Sequence, residues 1–227
     1  MIERSVFFGA CISLAAYILG IYVQRLKRLG FVNPILTAVV VVILFMLIFD
    51  IDYNDYLNSA QIMSFFITPA TVCLAIPLYG CISTLKKNAA AIIAGIISGV
   101  LTSMLCVTAV AVIFSFNHEQ YVSFLPKSVT TAIGLGIVES LGGIVPLSAM
   151  VIIITGIVGS IFCDGIFKIF KIRHPVSKGI AIGCSSHACG TARALQIGET
   201  EGAVSGLATV AAGIITVFSA SFFANIL

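Results

Sequence analysis

The stretch Gly183-Cys184-Ser185-Ser186-His187-Ala188-Cys189-Gly190-Thr191-Ala192-Arg193 gathers hydroxyls, an imidazole and a guanidinium in an otherwise apolar C-terminal half. Arg193 suits bidentate binding of a carboxylate, and His187 suits carrying a proton. Six residues apart, the two do not share one face of a regular helix, but a break at Gly190 would let them converge. A second constellation, Pro126-Lys127-Ser128-Val129-Thr130-Thr131, reads as a helix start. Its orphan amides and positive dipole end attract anions, and Lys127 adds a full charge. A third lies in Thr68 to Gly80, where Pro69 and Pro77 each remove a backbone donor, so that freed carbonyls and Thr71 are candidate solute contacts. The expected binding set is therefore Thr71, Lys127, Ser128, Thr130, Thr131, Ser186, His187, Thr191 and Arg193.

Each feature also has a structural reading. The Thr68–Gly80 stretch reads equally as a kinked helix whose threonines bond the preceding turn, Lys127 as an interfacial residue and Ser128 as an ordinary cap. Arg193 has Glu139, Glu199 and Glu201 as candidate ion-pair partners. Glu139 in turn needs compensation, because an acid at the centre of a bilayer costs about 2.5–3.5 kcal/mol; a base, a proton or a wet cavity would each supply it. Protonation makes Glu139 and His187 the candidates for proton coupling. Cys184, His187 and Cys189 lack a fourth ligand, so no metal is expected, and no cofactor is implied. Ser186 beside His187 lacks the Gly-x-Ser-x-Gly elbow, so a hydrolase is disfavoured and the chain is read as a non-enzyme. Asp164 and Lys168 are spaced as a helix-end pair.

These residues must be positioned by membrane helices. Of 227 residues, 59% are hydrophobic and 9% charged, and the mean hydropathy is +1.16; soluble domains carry roughly 25% charged residues. The net charge of +3 sits in short clusters between apolar runs, which excludes nucleic acid as the natural partner and points to membrane orientation. Seven cysteines, an odd number within or beside apolar runs, read as small packing residues. The first apolar run, to Val23, is too long for a signal-peptide core and reads as a retained helix.

Apolar segments fall at about 5–24, 34–49, 60–82, 88–116, 125–145, 147–170, 177–196 and 202–225, giving one integral membrane domain over 1–227. The fold class is all-α: a polytopic transmembrane helical bundle with broken or re-entrant helices. Three basic clusters should be cytoplasmic: Arg25, Lys27 and Arg28; Lys86 and Lys87; and Lys168, Lys171, Arg173 and Lys178. If both 125–145 and 147–170 crossed, the third cluster would lie on the wrong side. The economical repair is that 125–145 enters and returns, with Gly142, Gly143 and Pro146 turning the backbone. The last two segments repeat the pattern of a broken element followed by a continuous helix, which points to an internal duplication around a midplane site. Gly95/Gly99 and Gly202/Gly206 have the spacing of close helix packing, within a subunit or in a homo-oligomer.

At these same residues the sequence resembles the LrgB/CidB family of bacterial membrane proteins, whose relatives include the plant chloroplast glycolate/glycerate transporter. The likeness runs through Asn33-Pro34, Pro69 to Tyr79, Lys127 to Thr131, Glu139-Ser140-Leu141-Gly142-Gly143, Ser186-His187 and Gly190 to Leu195. Ala132 departs from a usual proline and Gly136 from a common acidic residue. The resemblance implies a multi-pass protein of the bacterial plasma membrane. It also implies either carriage of small carboxylates such as pyruvate, glycolate or glycerate, or control of murein hydrolase activity and autolysis with a small holin-like partner.

Overall fold

The computed structural model describes residues 7–27, 34–73 and 75–227, without the side chains of 25–27, 64, 67, 68, 70 and 71. Arg28 and Asn33, and the side chains of Arg25, Lys27 and Thr71, thus lie outside what is described. Among the described residues there are eleven helices and no strand. Contacts divide the chain into two compact units, Met1–Leu74 and Ala75–Leu227.

The first unit holds α1 (Phe8–Lys27), α2 (Pro34–Ile48) and α3 (Tyr53–Cys73). Gly20 closes on Pro34 while Phe8 meets Phe45, so α1 and α2 run antiparallel. Gly9 donates its amide to Ser59 Oγ at 2.9 Å, which sets the start of α3 beside the start of α1. Helical geometry continues through Pro69 as far as Cys73, so Pro69 does not break its helix. Pro77 lies inside α4 (Ala75–Gly80), in the second unit.

The second unit continues with α5 (Ile82–Lys87), α6 (Ala89–Ile113), α7 (His118–Phe124), α8 (Thr131–Ser140), α9 (Val145–Ile169), α10 (Pro175–Ile197) and α11 (Glu199–Ala224). Three of these, α6, α9 and α11, are long and apolar enough to cross a bilayer. Their directions follow from side-chain contacts. Tyr121 OH donates to the Phe223 carbonyl at 2.9 Å, so α7 sits where α6 and α11 finish. The Ile144 amide donates to Ser123 Oγ at 2.7 Å, which brings the end of α8 and the start of α9 to that same end. Segment 118–144 therefore enters at the His118 end, turns at depth through 125–130 and leaves where it entered. With ten residues, α8 is about 15 Å long, half of a roughly 30 Å hydrocarbon core. The re-entrant element predicted from the charge pattern is present, and it begins earlier than 125 because α7 belongs to it.

The second hairpin is α10 itself. His187 has φ 42° and ψ −133°, which interrupts the helix. Along the first leg, Gly179 faces Glu201 and Val204 while Gly183 faces Ser205 and Ala208, so this leg runs parallel to α11. Along the second leg, Leu195 faces Gly202 while Thr191 reaches Ser205 and Thr209, so this leg runs antiparallel to it. Segment 175–197 thus enters and leaves at the end that carries Lys168, Lys171, Arg173 and Lys178. Gly95 against Ile180 and Gly99 against Cys184 place the start of α6, with Lys86 and Lys87 before it, at this same basic end. Two hairpins from opposite ends, each followed by a crossing helix of opposite direction (α9, then α11), form the arrangement of an inverted repeat.

Candidate functional site where two hairpins meet

Ser103 lies fifteen residues into the 25-residue α6, about 21 Å along an axis of about 37 Å. Its hydroxyl shares a 3.2 Å hydrogen bond with Ser128, at the tip of the first hairpin, and Lys127 Nζ donates to Ser128 Oγ at 3.1 Å. A cavity of about 380 Å³ opens here. One wall is the Ser98, Thr102, Ser103 and Cys106 face of α6; Lys127 and Ser128 come from the first hairpin, and Cys184 and Ser185 from the second. Glycine lets these parts meet, since a Cβ at Gly99 would come within 3.1 Å of the Cys184 Cβ.

No acidic residue lines this cavity, and among the described residues none forms an ion pair with Lys127. The predicted contacts Thr130 and Thr131 do not line the cavity; Thr130 takes the N-cap position of α8 with extended dihedrals, and its hydroxyl caps no amide of the first turn. Lys127 brings positive charge into the cavity near mid-depth, and the α8 start that follows adds the positive end of a helix dipole outside its lining.

Other predicted site residues lie elsewhere. Ser186, 1% exposed, packs on Gly159 of α9, and the cavity receives its neighbour Ser185 instead. His187 donates from Nε2 to the Ile152 carbonyl at 3.0 Å, with its ring seated over Gly156. Thr191 is buried in a hydroxyl network with Ser205 (2.9 Å) and Thr209 (3.1 Å). Arg193 pairs with Asp164 near the end of α9. Its partner is thus none of the glutamates considered, and Asp164 is engaged by Arg193 in place of Lys168. Glu139 is exposed, one residue from the end of α8 at the His118 end, so it needs no compensation at depth. The break in α10 falls at His187 rather than Gly190; Gly190 instead lets the two legs touch, since a Cβ there would reach Ile182 at 2.6 Å. Gly142, at φ 75°, and Gly143 do form the turn that ends the first hairpin. Among the described residues, no three potential ligands gather as a metal site would require.

Sequence reasoning missed the α6 wall. Gly95, Ser98, Gly99, Thr102, Ser103 and Cys106 recur at helical spacing in an otherwise apolar run. That small polar stripe was the available signal.

Fold and cavity together define a multi-pass, all-α membrane protein with two opposed re-entrant hairpins. The chain belongs to the LrgB-like family, whose model matches residues 13–226. It is 35% identical to the antiholin-like protein LrgB of Bacillus subtilis (strain 168), covering 98% of this chain and 97% of that one. It is 33% identical to the antiholin-like proteins LrgB of Bacillus cereus (strain B4264) and Bacillus anthracis (strain CDC 684 / NRRL 3495), covering 93% of this chain and 92% of each. No solved structure matches. The protein is a bacterial multi-pass membrane protein.

Proposed function

We propose that this chain is an antiholin-like membrane protein, the role named for its relatives, and that its molecular activity is the passage of a small carboxylate through the cavity between its hairpins. The first half of this reading rests on those names. The family resemblance adds control of murein hydrolase activity together with a holin-like membrane partner. The second half rests on one observation: Lys127, a cation near mid-depth with no carboxylate partner among the described residues, faces a mainly apolar cavity into which Ser98, Thr102, Ser103, Ser128 and Ser185 bring hydroxyls. A charge kept inside a membrane marks a solute or ion path by default. Hairpins meeting from opposite ends are the arrangement that alternating access uses.

Uptake of labelled pyruvate, glycolate and glycerate into proteoliposomes tests the carrier half. Saturable uptake supports it, whereas no uptake of any of the three at any imposed proton gradient removes it. The regulatory half is tested by autolysis rate in a deletion strain. Faster autolysis, reversed by the wild-type gene, supports it, and an unchanged rate contradicts it. Should dye leak nonselectively only when a holin-like partner is co-reconstituted, the regulatory role would stand without the carrier.

A further inference from the structure

At the root of the second hairpin lies another cavity, of about 430 Å³, within the roughly 300–1,000 Å³ range of ordinary ligand sites. Its walls include Lys168, Lys171, Arg173 and Lys178, with Phe167 as an apolar wall and Asp164 as the single acid. The local fold holds these bases around a concavity. Lys171 has φ 53°, and the turn is closed by the Ile172 amide donating to the Phe167 carbonyl at 2.9 Å, so the chain reverses between α9 and α10 with its bases facing one space. Lys178 Nζ stands 6.0 Å from the centre of the Phe167 ring, a cation–π distance. Asp164 is already committed to Arg193, and no described acid pairs with the four bases, Glu199 and Glu201 at the head of α11 included.

We infer that this cavity binds the phosphate headgroup of an anionic glycerophospholipid. Sidedness alone requires basic residues on one side of the membrane; it does not require four of them to share a concavity against their mutual repulsion. Phosphate chemistry follows from clustered ammonium and guanidinium donors with no free carboxylate among them. The lipid source follows from position: the cavity lies at the C-terminal end of α9, a helix long and apolar enough to cross a bilayer, and so at headgroup level on the basic side of the membrane. This inference does not depend on the carrier reading, and its test involves no transport.

The test is native mass spectrometry of the full chain in detergent, titrated with phosphatidylglycerol, phosphatidylcholine or inorganic phosphate. Wild-type protein should retain phosphatidylglycerol in preference to phosphatidylcholine, and excess inorganic phosphate should not displace it. Each lysine near an anionic surface is worth about five-fold in affinity, so Lys171→Gln/Lys178→Gln should weaken phosphatidylglycerol binding about 30-fold. The control pair Lys86→Gln/Lys87→Gln removes the same charge at the same end, outside the cavity, and should change little. Equal loss in both pairs would overturn the proposal in favour of diffuse interfacial charge. Absence of a phosphatidylglycerol preference, or displacement by phosphate, would overturn it as well. If the first pair does not fold, Arg173→Gln on the exposed connection is read against the same control, with a five-fold loss expected.

Discussion

Replacing Lys127 by methionine keeps an unbranched side chain one atom shorter and removes its charge. In the carrier reading the ammonium supplies a charge-assisted hydrogen bond to the solute, worth about 1.5–3 kcal/mol. At about 1.4 kcal/mol per factor of ten, that raises KM for a carboxylate about 10- to 150-fold. The structure sets the opposite sign for stability. The one hydrogen bond lost within the protein is that to Ser128, which keeps its partner Ser103. The charge removed is one that costs up to about 2.5–3.5 kcal/mol where hydrocarbon surrounds it, and less where the cavity holds water. Lys127→Met should therefore melt at or above the wild-type temperature while transporting poorly. Proteoliposome uptake kinetics and thermal unfolding on one preparation read both quantities. Uptake within two-fold of wild type would refute the role given to Lys127, and a marked fall in melting temperature would show that the lysine holds the hairpin together.

Further outcomes follow from the same geometry. Reporter fusions at 118 and 146 should lie on one side of the membrane and fusions at 173 and 199 on the other; any other pairing breaks the two-hairpin topology. Gly156→Ala should push the His187 ring off the Ile152 carbonyl, since the new methyl would come within 2.6 Å of the ring, and cost about 1–3 kcal/mol in thermal unfolding. Arg193→Ala and Asp164→Asn should each destabilise modestly, by about 1 kcal/mol for a partly exposed pair, and the double mutant should cost less than their sum. Purely additive losses would show that the pair carries no coupling.

Much of the fold was legible because topology has to close. Once Lys168, Lys171 and Arg173 are assigned to the side of Lys86 and Lys87, one intervening apolar segment cannot cross, and Gly142, Gly143 and Pro146 mark which. The break at His187 was not legible. Glycine is the residue that tolerates positive φ, so Gly190 attracted the prediction. The conformation of His187 is held instead by a hydrogen bond and ring packing on Ile152 and Gly156, more than thirty residues away. Arg193 shows the same limit: its charge demanded a partner, yet only the hairpin's return along α9 brings Asp164 to it. Of the cavity, Lys127 and Ser128 were visible as a helix start, while the α6 wall was hidden inside a run apolar enough to pass as an ordinary span.

The most direct test of the central claim is whether water and solute reach the meeting point of the hairpins. Ser128→Cys and Ser185→Cys, each in a background without the native cysteines, can be exposed to a membrane-impermeant thiol reagent in sealed vesicles. Both thiols should react despite their depth, and pyruvate, glycolate or glycerate should slow both reactions. Thiols that stay unmodified, or that react at a rate no carboxylate alters, would contradict that claim.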